Sequence, residues 1–196
     1  MIKPQTVQLP KVTELIDDVA ASWVSIFSVC DFYSAFYQIQ LAPKSRPLTT
    51  FSSPEGRRYQ FSRCPFDLST SAAGMIYVVQ KVMAGKLGDS GRLYMDDALL
   101  FSNNWQDHIR TIETLLTTLG SNNLTENPAK CEWEFPNVLF LWFQIGLDGL
   151  KMDPKKTKVI EKLAPPTNRK GLQRLGLFLY EQLYGNHEYQ MTSYIA

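Results

Sequence analysis

Two adjacent aspartates, Asp96 and Asp97, stand between two short apolar runs, Gly91-Arg92-Leu93-Tyr94-Met95 and Ala98-Leu99-Leu100-Phe101-Ser102. Runs of this kind read as β-strands, so the acids fall at or beside a hairpin tip, where neighbouring carboxylates need not diverge as they do within a strand. Carboxylates held together repel one another and favour a hard cation such as Mg²⁺, which takes oxygen ligands. The chain contains its own control. Asp17-Asp18 is also a pair, but it lies in a helical pattern with Val12, Leu15, Ile16 and Val19 on one side, and reads as solvated helix surface. The hairpin context carries the signal.

A third acid, Asp31, follows the β-branched and aromatic run from Trp23 to Cys30. An acid there is either a cap for the next turn or the third ligand of a metal site. The rest of the chain mixes strands and helices without a βαβ rhythm. Thr49–Ser52 and Arg58–Ser62 read as a hairpin about Pro54-Glu55-Gly56. A helix is expected from Ser69, where Ser69, Thr70 and Ser71 offer caps, to about Gly85. A second helix spans about Trp105 to Leu119, with Ile109, Ile112, Leu116 and Leu119 inward. Val138–Ile145 and Leu150–Met152 form a hairpin at Asp148-Gly149, and a basic helix lies between Pro154 and Pro165-Pro166. This order predicts an α+β fold, an antiparallel sheet with helices on one face.

Composition narrows the functions. Three cysteines, Cys30, Cys64 and Cys131, form no Cys-x-x-Cys pair, and only His108 and His187 are present. A disulfide framework and a thiolate or imidazole metal site are therefore disfavoured. The longest apolar run, Val138 to Phe143, is too short to span a bilayer, and Met1-Ile2-Lys3-Pro4 does not open a leader, so an intracellular, membrane-free protein is expected. Net charge is +1, but residues 151–174 hold eight Lys or Arg against Asp153 and Glu161. That stretch is +6 and the remainder −5. It is either a phosphate-contacting surface or a solvated helix face.

The ordered motifs resemble those of reverse transcriptases from gypsy-like LTR retrotransposons and retroviruses. Asp31-Phe32-Tyr33-Ser34-Ala35-Phe36-Tyr37-Gln38-Ile39 is similar to the first catalytic motif, and Tyr94-Met95-Asp96-Asp97 to the catalytic box. Thr49-Thr50-Phe51, Gly56, Tyr59, Phe61, Cys64-Pro65-Phe66, His108, Leu124, Asn127, Pro128, Lys130-Cys131, Phe140-Leu141, Gly149 and Asp153-Pro154-Lys155-Lys156 continue the pattern, which covers roughly residues 7–180. The resemblance implies a palm with partial fingers and the start of a thumb or connection: an N-terminal remnant over 1–24, the palm over 25–152, and a basic helical segment with a divergent tail over 153–196. It implies RNA-directed DNA polymerisation by two-metal phosphoryl transfer. Asp31, Asp96 and Asp97 would hold Mg²⁺, with Mn²⁺ as a substitute, and the partners would be deoxynucleoside triphosphates and an RNA or DNA template with primer.

Carried over by position, Phe36 sits under the sugar, and Pro65, Phe66 and Asp67 border the incoming nucleotide. Phe140, Leu141 and Trp142 lie at the primer-gripping strand, and Lys155, Lys156 and Lys158 fall in the basic segment. Phe36, Phe66 and Phe140 also read as ordinary core, and no role for Lys130 follows from sequence. The chain departs from the family at Asp67 and Trp142, where glycine is usual, and at Ala72, where proline is typical. A carboxylate about 6 Å from a phosphate opposes it by roughly 3 kcal/mol at an effective dielectric near 20. The family's basic fingers would also precede Met1. Little or no polymerisation by this chain alone is therefore expected, and a second reading is an inactive relic or a co-opted nucleic-acid-binding module.

Overall fold

The computed structural model describes residues 12–22, 24–66, 68, 71–161 and 166–176. Trp23, Asp67, Ser69, Thr70, Pro165 and the C-terminal tail lie outside them, and with them the expectations placed on those residues.

The centre is a four-stranded antiparallel sheet in the order β4-β5-β1-β6, from β1 (Ile26–Asp31), β4 (Gly91–Tyr94), β5 (Asp97–Ser102) and β6 (Glu132–Phe135). Alternation within the inner strands decides what each face meets. Cys30, Ala98 and Leu100 point to one face, where α3 (Ser71–Met83) and α4 (Trp105–Ser121) bury Met75, Val79, Met83, Leu115 and Leu119 against them. Phe27, Val29, Leu99 and Phe101 point to the other. There α1 (Val12–Ala21) contributes Leu15, Ile16 and Val19, and a second sheet contributes Val138, Phe140 and Ile145. The two expected helices do share one face. The opposite face is also covered, which explains why β1 and β5 read as nearly continuous apolar runs.

Several local expectations need correction. The run Val138–Ile145 is two strands, β7 (Asn137–Phe140) and β8 (Phe143–Gly146), folded at Leu141-Trp142. With β9 (Gly149–Met152) they form a three-stranded meander. Leu141, at φ 57°, makes the extra turn that an apolar residue does not advertise. Gly149, at φ 92°, supplies the expected one.

The inward stripe of α4 is His108, Ile112, Leu115 and Leu119, whereas Ile109 is 44% exposed. Hydropathy favours Ile109 over His108, but the histidine is satisfied inside. Its two ring nitrogens lie 2.8 Å from the Ser28 and Ser102 hydroxyls of β1 and β5. The Glu134 amide of β6 also donates to Ser28 Oγ (2.9 Å), so one buried polar network ties three strands to α4. The early hairpin shrinks to β2 (Phe51–Ser52) and β3 (Arg58–Tyr59), because Arg46–Thr49 winds into a 3-10 turn. The short helix α2 (Ala35–Gln38) follows β1, and α5 (Pro154–Glu161) and helical residues 169–176 carry the basic stretch.

Candidate active site

The β4–β5 connection is a two-residue turn. Tyr94 pairs with Asp97, leaving Met95 and Asp96 at the tip. Met95 has φ 54°, a left-handed conformation that costs a non-glycine residue on the order of 1–3 kcal/mol. The Met95 side chain packs against the cluster beneath α1, which offsets part of that cost.

Asp31 ends β1 directly opposite Asp97, and the Phe32 amide donates to the Asp96 carbonyl (2.9 Å). Directly opposed residues have Cβ atoms about 4.5–5.5 Å apart and share a face of the sheet. The three acids therefore gather at the adjoining ends of the two inner strands, with Asp31 on the strand beside the hairpin. Asp97 registers the crowding. Burial first, then the charges of Asp96 and Asp31, push its carboxyl up to about 7, against a smaller pull from Lys130. The Lys130 ammonium lies 3.1 Å from Asp31 Oδ2, and that hydrogen bond with the surrounding acids raises its own pKa.

The donor set, three carboxylates with hard oxygens and an excess of negative charge, fits a hard divalent cation. Among the described residues no three His, Cys, Asp or Glu side chains already stand together as a ligand set; one oxygen of Asp31 is engaged by Lys130 instead.

The other predicted residues fall on different elements and differ in burial. Phe36, on α2, is half-buried and meets Phe66 edge-on with centroids 5.2 Å apart; Tyr37 meets Phe66 in the same way at 5.1 Å. Phe66 itself is exposed. Pro65 is buried, and its carbonyl accepts from Ser71 Oγ (2.9 Å), which fixes the loop entering α3. Phe140 is fully buried in the core beneath α1, and Trp142 is buried as well. The Trp142 carbonyl accepts from the Asp153 amide (2.9 Å). Leu141 at the turn is half-buried against the same cluster as Met95. Lys155 and Lys158 are exposed on α5, away from the core.

Sequence reasoning assigned no task to Lys130 or Gln38 and did not foresee the burial of His108. The histidine had a readable signal, its 108-112-115-119 spacing with apolar partners. The pairing of Lys130 with Asp31 spans 99 residues of chain and leaves no local trace.

A four-stranded antiparallel sheet, with acids at the ends of its two inner strands and two helices behind, defines a polymerase palm. Residues 3–177 match the family model described as reverse transcriptase (RNA-dependent DNA polymerase). The chain is 33% identical over 181 residues to the retrovirus-related Pol polyprotein from transposon opus of Drosophila melanogaster, covering 89% of this chain and 18% of that protein. It is 30% identical over 163 residues to the corresponding gypsy polyprotein of the same species, covering 83% of this chain and 16% of the relative. Among solved structures, a foamy viral protease–reverse transcriptase in complex with double-stranded DNA superposes with a TM-score of 0.81 at 20% identity, over 92% of this chain and 31% of that one. The chain therefore belongs to the reverse transcriptase family, in its gypsy-like lineage, and spans less than a fifth of the length of these curated relatives. No helix among the described residues is long and apolar enough to cross a membrane.

Proposed function

We propose that this chain is the palm of an RNA-directed DNA polymerase from a retroelement polyprotein, with residues 25–152 as the palm and Asp31, Asp96 and Asp97 as its metal-binding acids. The observation that carries the reading is the convergence of three acids on two neighbouring strand ends, with Asp97 pushed up to about 7 by burial and by the other two. Strand ends that crowd three carboxylates together are poorly suited to structure alone and well suited to a cation.

Asp31, Asp96 and Asp97 would hold Mg²⁺, or Mn²⁺ in its place. When bound, the metal supplies charge for the triphosphate and acidity for the primer 3′-hydroxyl. The chain's own groups bind and orient. Phe36, braced edge-on by Phe66, offers a flat surface for the sugar of a deoxynucleoside triphosphate, and the rigid Pro65 turn fixes that wall. Phe140 and Trp142 act from inside by fixing the β7–β8 turn, so that Leu141 and the turn backbone face the primer. Lys155, Lys156 and Lys158 would meet phosphates of the template and primer, which are read through backbone and stacking. Solved relatives hold double-stranded DNA and an RNA/DNA hybrid, which supports a duplex as the partner. Asp67 is proposed to border the nucleotide and to weaken its binding.

Primer extension on a homopolymer RNA template tests the reading. Little or no divalent-dependent incorporation by the unaltered chain is expected, raised slightly by Asp67→Gly, raised much more by Asp67→Gly with a related fingers region added, and abolished by Asp96→Asn. Incorporation no higher than that of Asp96→Asn from every form, the one extended with fingers included, would overturn it.

A further inference from the structure

Lys130 reaches the acids from the loop between α4 and β6, and that loop is stitched to the end of β1. The Asn127 amide donates to the Asp31 carbonyl (2.8 Å), and the Tyr33 amide to the Thr125 carbonyl (3.0 Å). Gln38 of α2 clamps the same point. Its Oε1 accepts from the Thr125 amide (2.7 Å), and its Nε2 donates to the carbonyls of Thr125 (2.8 Å) and Tyr33. The Lys130 and Cys131 amides then donate back to the Asn127 carbonyl (2.9 and 3.1 Å), closing a turn. The backbone bearing Lys130 is thus held against the residue whose carboxylate it meets.

The lysine side chain is otherwise well exposed, at 64%, whereas that of Asp31 is 21% exposed. An ion pair with one solvated partner contributes about 1 kcal/mol or less, so stability alone gives little reason for so elaborate a mount. What the mount does achieve is a positive charge 3.1 Å from a carboxylate that two further acids crowd.

We propose that Lys130 is a built-in placeholder cation: it occupies Asp31 while the acids carry no divalent metal, and metal binding must displace it. The inference rests on the reading of the three acids as metal ligands. An ammonium on Asp31 Oδ2 takes a coordination direction a metal would use and repels the incoming divalent charge. The lysine therefore keeps the empty acids from driving β1 and β5 apart, and raises the metal concentration at which the site fills.

The test is Mn²⁺ titration of the full 196-residue chain, followed by the electron paramagnetic resonance signal of free Mn²⁺, with thermal unfolding alongside. Lys130→Gln should bind Mn²⁺ about fivefold more tightly, the change that corresponds to an ion pair of about 1 kcal/mol. Lys130→Arg, which keeps the charge, should match the unaltered chain. Lys130→Gln should also melt lower in metal-free buffer and gain more on Mn²⁺ addition. Gln38→Ala, which frees the loop, should shift Mn²⁺ affinity in the same direction. Unchanged or weaker Mn²⁺ binding in Lys130→Gln, with binding still lost in Asp96→Asn, overturns the placeholder and leaves the metal site standing. Mn²⁺ binding that Asp96→Asn does not affect overturns both.

Discussion

Replacing Asp97 with asparagine should stabilise the metal-free protein at pH 8. A carboxyl moved from 3.8 to about 7 is harder to ionise in the fold than in the unfolded chain. At 1.36 kcal/mol per pH unit that difference is on the order of 4 kcal/mol. It is an upper bound, because Asp97 is only partly buried and the acids can relax, so roughly 1–3 kcal/mol is the expected gain.

The sign follows from linkage. Between pH 4 and 7 the native state holds this proton and the unfolded state does not, so the contribution of Asp97 to stability falls as pH rises through that window. Above 7 the full penalty applies, and below about 4 it vanishes. His108 runs the opposite way: burial lowers its pKa, so stability falls as pH drops below about 6.5. Comparing Asp97→Asn with the unaltered chain at each pH removes the histidine contribution. Thermal unfolding in EDTA at pH 8 and pH 4 is the assay. At pH 8 the variant should melt about 2–12 °C higher, at roughly 2–4 °C per kcal/mol for a chain of this size, and at pH 4 the two should nearly coincide. A destabilised Asp97→Asn at pH 8 would refute the argument that the acids are mutually strained.

Other substitutions separate core from contact. Phe140→Ala should cost about 3–5 kcal/mol in urea unfolding, as expected for a fully buried ring. His108→Ala should cost about 2–4 kcal/mol, since the Ser28 and Ser102 hydroxyls lose a buried partner. On α4, Leu115→Ala should cost about 2–5 kcal/mol while Ile109→Gln stays within about 0.5. Changing Lys155, Lys156 and Lys158 to alanine should weaken duplex binding for all sequences alike and lower the salt slope by roughly one per lost phosphate contact; an unchanged slope marks a solvated surface.

The acids and their hairpin were legible because the information is local: two carboxylates between two β-runs, and a third at the end of a buried strand. The helices at Ser71–Met83 and Trp105–Ser121 were legible from their spacing. What was not legible depends on partners far along the chain. Ile109 looked like core until His108 found hydroxyls on β1 and β5. Val138–Ile145 looked like one strand because an apolar leucine, not a glycine, takes the positive φ at its fold. Phe140 matched a motif at the primer-gripping strand, yet its ring is interior. Lys130 acquired a partner only when the loop after α4 was tied to β1.

The proposed role of Asp31, Asp96 and Asp97 is to share a divalent cation. A crystal of this chain soaked in Mn²⁺, with diffraction measured at the manganese absorption edge, tests it most directly. The expected result is an anomalous peak among the carboxylates of Asp31, Asp96 and Asp97, with the Lys130 ammonium moved off Asp31. Manganese bound elsewhere while these carboxylates remain bare, with Lys130 still on Asp31, would contradict it.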